Sequence, residues 1–111
     1  MRESAIEKHL REQVELYGGV CRKWVTPGRK GPPDRICIFD YPDLFFVETK
    51  TLDGVIKSWQ KREHERLRAR GWRVYVVRSV EEVDVLMFHY KILKERAMAG
   101  KPKPKPKPKP C

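Results

Sequence analysis

Three residues in this chain have the type and spacing to work on a charged substrate: Asp34, Glu48 and Lys50. Glu48 and Lys50 stand two positions apart, so on a strand their side chains leave the same face. They follow Leu44-Phe45-Phe46-Val47, a continuous apolar run. A carboxylate and an ammonium at the end of such a run are costly unless paired, hydrogen-bonded or bound to metal. Taken alone, Glu-x-Lys is common and reads equally as an ion pair at a strand end. Asp34 opens the preceding segment, after the rigid Gly31-Pro32-Pro33 stretch; taken alone, it is a turn residue capping its loop. Together the three say more. If residues 35–47 fold back through Asp40-Tyr41-Pro42-Asp43, the first residue of one strand meets the last of the next. Asp34 then falls near Glu48, with Lys50 just beyond. Two close carboxylates repel, and both hold their protons more tightly unless a cation sits between them. A hard divalent ion with oxygen ligands, such as Mg²⁺, fits such a site.

The elements that must position these residues follow from periodicity. Residues 2–17 carry Ile6, Leu10, Val14 and Tyr17 on one stripe, a helix that Gly18-Gly19 stops. Val20 to Val25 is a short strand. Residues 26–33 hold three prolines and two glycines and form a loop. Residues 34–39 are a strand, 40–43 a turn, and 44–47 a strand apolar enough to be covered on both faces. Asp53-Gly54 turns the chain into a helix over 55–70, with Ile56, Trp59, Gln60, Glu63, His64 and Leu67 roughly along one side. Gly71 ends it, and 72–77 is a fourth strand. Ser79 and Glu82 form a capping box that opens a last helix. The order predicts an α/β fold: an α-β-β-β-α-β sandwich with a central mixed sheet, plus a C-terminal helix. We expect one domain over 1–97 and a disordered Lys-Pro-rich tail over 98–111.

The chain has 111 residues and a formal net charge of +10. Without the five lysines of the tail, residues 1–100 still carry +5. A basic surface attracts polyanions, nucleic acid first among them. No stretch approaches the ~20 apolar residues of a membrane span, and no apolar leader is visible. Cys21, Cys37 and Cys111 have no zinc spacing. Cys21 and Cys37 read as small buried hydrophobes in a reducing cytoplasm. No Ser-His-Asp arrangement or Gly-rich phosphate loop occurs, and no organic cofactor is expected.

Pro33-Asp34 followed fourteen positions later by Glu48-Thr49-Lys50 resembles the signature of the PD-(D/E)xK nuclease superfamily. The context sharpens the likeness. Gly31-Pro-Pro-Asp34, Gln60 ten residues after the lysine, and the strand Gly71-Trp-Arg-Val-Tyr-Val-Val77 are similar to the virus-type replication-repair nucleases, the VRR-NUC family, in its stand-alone phage or bacterial form. The resemblance spans about residues 3–90 and implies a restriction-endonuclease-like fold. It implies that Asp34, Glu48 and the backbone carbonyl of Thr49 ligate Mg²⁺ or Mn²⁺, and that Lys50 orients the attacking water. It implies a catalytic part for Gln60, through a hydrogen bond to Lys50 or to the water; otherwise Gln60 is a solvated helix-edge residue. Glu7 matches a glutamate on the first helix of this superfamily. It either binds a second metal through water or salt-bridges Arg11, at i+4.

The implied activity is a metal-dependent, structure-specific DNA endonuclease that resolves four-way junctions as a homodimer. A flap or nicking nuclease of repair or replication is the alternative within the class, and a non-catalytic basic DNA-binding module the alternative outside it. Arg29, Lys30, Lys57, Lys61 and Arg62 surround the site in sequence and are the candidate phosphate contacts. No base-reading module is present, so recognition should rest on DNA shape. His64 lies four residues from Gln60 and reads as an ordinary helix-face residue or, alternatively, as lining the site. Trp59, Trp72, Met87 and Phe88 belong either to an apolar interface or to the core. The Lys-Pro tail is either a DNA tether or an appendage.

Overall fold

The computed structural model describes residues 2–40 and 43–99. The elements run α1 (Glu3–Leu16), β1 (Val20–Lys23), β2 (Arg35–Ile38), β3 (Leu44–Thr49), α2 (Ser58–Ala69), β4 (Arg73–Val77) and α3 (Val80–Met98). This is the expected α/β order, with a four-stranded mixed sheet in the order β1-β2-β3-β4. β1–β2 and β2–β3 are antiparallel, and β3–β4 is parallel. The parallel pair requires a crossover, which α2 supplies. The Lys-Pro tail lies outside the described residues.

Alternation along β3 assigns its two faces. Phe45 and Val47 are fully buried with Ile6, Leu10 and Val14 of α1 and with Val83, Leu86, Met87 and Tyr90 of α3. Phe46 and Glu48 leave the opposite face, where Trp24 packs on Phe46 and His64 of α2 meets Glu48. β3 is therefore covered on both sides. Cys21 and Cys37 pair across β1–β2, buried and free, within the apolar layer. Met87 belongs to the core, whereas Trp59, Trp72 and Phe88 are exposed.

Two helix starts show local chemistry at work. Ser79 accepts the Glu82 N–H at 3.1 Å, as a capping residue should. Glu82 returns to the N–H of Arg78, one residue ahead of the cap. α2 begins three residues later than the pattern suggests. Lys57 is extended (φ −74°, ψ 156°), and the Gln60 side chain accepts its N–H at 2.9 Å. That bond satisfies a donor the helix would otherwise leave free, so residues 55–57 stay outside it.

Candidate active site

The end of β3 is where the two faces of the sheet come together on successive residues. Asp34 reaches it because β2 pairs antiparallel with β3, Arg35 opposite Val47. The Asp34 carbonyl accepts the Trp24 N–H at 2.8 Å, tying the end of the loop to β1. Its carboxylate accepts the Thr49 N–H at 3.3 Å. Asp34 thus caps β3 with its side chain and stands beside Glu48.

Glu48 points toward α2 and is 1% exposed. Its Oε2 lies 3.8 Å from Lys50 Nζ and accepts from Gln60 Nε2 at 3.5 Å. Its Oε1 lies 3.7 Å from His64 Nε2, and neither of these buried atoms has a hydrogen-bond partner. Burial pushes the Glu48 carboxyl above its ordinary value and Asp34 pushes it further, while His64 and Lys50 pull it down. Glu48 and Lys50 therefore do share a face. Gln60 does not bond Lys50, one of its two expected partners: it bonds Glu48 and the Lys57 backbone, because the first turn of α2 aims it at the carboxylate.

Thr49 points the other way, toward α1. Its hydroxyl lies 3.1 Å from Glu7 Oε1 and 3.3 Å from Asp34 Oδ2. A hydroxyl has one proton to give, so two carboxylates converge on one donor. Glu7 is also held by Arg35 Nη2 at 3.1 Å. Its ion pair is thus with β2 rather than with Arg11 of its own helix. Glu3 completes the group: one carboxylate oxygen each from Glu3, Glu7 and Asp34 lie within 4.8 Å of one another. The converging carboxylates of Glu3, Glu7 and Asp34 suit a hard divalent cation; Glu48 lies outside that group, with its unpartnered oxygen toward His64.

The cationic candidates divide. Arg29 is committed to Glu63 through two hydrogen bonds of 2.9 Å, and Arg66 adds a third at 3.0 Å. Arg29, chiefly, holds the Glu63 carboxyl down at about 2. Lys30 and Lys57 stand over the Trp59 ring at 5.8 and 5.5 Å. Lys61 and Arg62 are exposed and make no ion pair among the described residues. The sequence reading did not single out Glu3, Arg35 or Glu63 as members of these networks. Glu3 and Glu7 at i and i+4 on one helix were a visible signal; the ties of Glu7 to Arg35 and of Arg29 to Glu63 cross 28 and 34 positions and left none.

This arrangement sits in a fold seen before. A solved structure described as a VRR_NUC domain superposes with a TM-score of 0.75 at 40% identity, covering 79% of this chain and 96% of that one. The chain belongs to the VRR-NUC family. A curated relative, "Putative nuclease p44" of Acyrthosiphon pisum secondary endosymbiont phage 1, is 41% identical over 86 residues, 78% of this chain and 92% of p44. No family model matches the chain. The VRR-NUC likeness extends over the span that carries Asp34, Glu48, Thr49 and Lys50, and it makes this a nuclease fold with an acidic cluster at the end of β3. No helix among the described residues is long and apolar enough to cross a membrane.

Proposed function

We propose that this VRR-NUC chain is a metal-dependent DNA endonuclease that hydrolyses phosphodiester bonds in branched DNA, and that it resolves four-way junctions as a homodimer. One observation carries the reading: Asp34 caps β3 beside a buried Glu48 that faces Lys50, and one Glu48 oxygen lacks a hydrogen-bond partner. Asp34, Glu48 and the Thr49 carbonyl are the groups that would hold Mg²⁺ or Mn²⁺. Such an ion polarises the scissile phosphate and acidifies the attacking water.

The chain's own residues do the rest. Lys50 orients the water and offsets charge growing on the phosphate oxygens. Gln60 holds Glu48 in place from α2. Glu7 fixes Thr49 and Arg35, and with Glu3 offers room for a second cation. The water oxygen gives up a proton to solvent and bonds to phosphorus, the bond from phosphorus to one deoxyribose oxygen breaks, and that oxygen leaves as a hydroxyl with a proton from solvent. Lys30, Lys57, Lys61 and Arg62 supply phosphate contacts; Arg29 shapes the loop that carries Lys30.

Symmetric resolution needs two such sites related by a two-fold axis. Exposed Val85 and Phe88 on α3, and the outer edge of β4, support a self-complementary face. The test is cleavage of a labelled four-way junction, a 5′ flap and plain duplex in Mg²⁺, Mn²⁺ or EDTA, by wild type and Lys50→Ala. Paired symmetric nicks in the junction, absent in EDTA and in the variant, are expected. Cutting of the flap alone moves the substrate and keeps the chemistry. No metal-dependent cutting by folded protein overturns the catalytic reading.

A further inference from the structure

One residue before Gln60, the fold leaves a large aromatic ring partly exposed. Trp59 is 41% exposed in the first turn of α2, immediately before Gln60, the residue that touches Glu48. Two ammonium groups from different segments flank it: Lys57 from the residue preceding α2, and Lys30 from the 26–33 loop. Lys61 and Arg62 continue the cationic surface one turn on.

The partnership between loop and helix is built in. Gly31 adopts φ +96°, and a Cβ there would stand 2.7 Å from the Trp59 carbonyl oxygen, so the backbones touch where only glycine fits. Two residues earlier, Arg29 clamps the same loop to α2 through its two bonds to Glu63. Lys30 lies between these fastenings, so the backbone that carries its side chain to the ring is held on both sides. Arg78 donates to the Thr51 carbonyl at 2.9 Å and holds the 51–54 turn.

A partly exposed ring beneath two ammonium groups on flexible stems fits one kind of partner well. A nucleobase takes the aromatic face as the ammonium groups swing from over the ring to meet its phosphates. An apolar protein surface would have to desolvate the same lysines, which is costly. A base inside a duplex has both faces covered by its neighbours, so the ring can take only a base that has left the stack. Branch points, gaps and flaps offer such bases at least cost, because stacking is already interrupted there.

We propose that Trp59, with Lys30 and Lys57, is a stacking platform for an unpaired nucleotide beside the scissile phosphate. The substrate class is then DNA in which unpaired or unstacked bases adjoin duplex, whatever their sequence. The position next to the cut rests on the nuclease reading above; the stacking itself does not.

The test measures binding in EDTA, so it needs no cleavage. Anisotropy is recorded for wild type, Trp59→Ala and Trp59→Phe on a fully paired duplex and on the same duplex with a short single-stranded gap. One gap base is 2-aminopurine, whose fluorescence falls when it stacks. Trp59→Ala should lose roughly 5- to 100-fold in affinity for the gapped DNA. It should lose less than about twofold for the duplex. Trp59→Phe should retain most of the affinity, and the 2-aminopurine signal should fall with wild type and not with Trp59→Ala. Equal losses on both DNAs, no loss on either, or quenching that survives in Trp59→Ala would each overturn the platform. Cleavage of the same DNAs by wild type and Lys50→Ala reads the nuclease assignment separately, so either idea can fail while the other stands.

Discussion

The two faces of the sheet are built from opposite materials. Toward α1 and α3, β3 presents Phe45 and Val47 to a layer of fully buried apolar side chains. Toward α2, it presents Phe46 and then Glu48, which meets His64, Gln60 and Lys50. The first face holds the chain together by burial, at roughly 25 cal/mol per Å² of apolar surface. The second buries Glu48, Glu63 and His64 and carries the cationic rim. The difference teaches where stability and chemistry reside. Residues 44–47 need both faces covered, while residues 48–50 use the rigidity this gives to hold a carboxylate out of water. Stability and activity should therefore separate by face.

The largest effect should come from Lys50→Ala. Losing a cation aimed at developing charge should cut cleavage roughly 100- to 1,000-fold. Melting should move far less than for a core variant, because Lys50 sits at the rim of the site. A variant that cut normally would place the chemistry elsewhere. Phe45→Ala should do the converse, removing about 3–5 kcal/mol of stability. Urea unfolding checks this, and cleavage per folded molecule, measured well below the new melting point, should stay near wild type. A large loss of activity in the folded fraction would show that the two faces are not independent.

The legibility of the sequence followed the same division. The apolar side was readable because its signal is local: Ile6, Leu10 and Val14 repeat at helical spacing, and Leu44 to Val47 read as a strand buried on both faces. The meeting of Asp34 with Glu48 was readable because an antiparallel return brings the start of one strand to the end of the next. The pairings on the α2 side were readable only in part: Gln60 and His64 were candidates for the site, but not as partners of Glu48. His64 sits on the sheet-facing side of its helix, but nothing in its spacing says that the strand opposite presents a carboxylate. Arg29 reads as a phosphate contact only, until Glu63, 34 positions on, takes two of its five N–H donors. The start of α2 was misplaced because Gln60 acts backward on Lys57, a side-chain choice that periodicity does not encode.

Glu48→Gln sharpens the comparison in a second way. Burial raises the Glu48 carboxyl, so the folded chain resists its charge. A neutral isostere should relieve that cost and stabilise the protein by on the order of 1 kcal/mol while abolishing metal-dependent cleavage. Calorimetry in EDTA and cleavage in Mg²⁺ are the two readouts. A lower melting temperature for the variant would mean that Lys50, Gln60 and His64 already satisfy the carboxylate, and that Glu48 stores no tension for function.

The smallest effect belongs to Glu63, which is buried like Glu48 but shifted the opposite way. Arg29 and Arg66 hold its carboxyl at about 2, below its ordinary 4.5. A depressed carboxyl adds stability above the unfolded value and gives it up as the pH falls through the folded one. Glu63→Gln should therefore cost about 1 kcal/mol near neutral pH, modest because Arg29 is half exposed. The gap between variant and wild type in urea unfolding should narrow as the pH drops from about 4.5 toward about 2. If it stays constant across that window, the contribution of Glu63 is packing rather than charge. The clamp on the 26–33 loop would then rest on Gly31 alone, and the position of Lys30 over Trp59 would not depend on the ion pair.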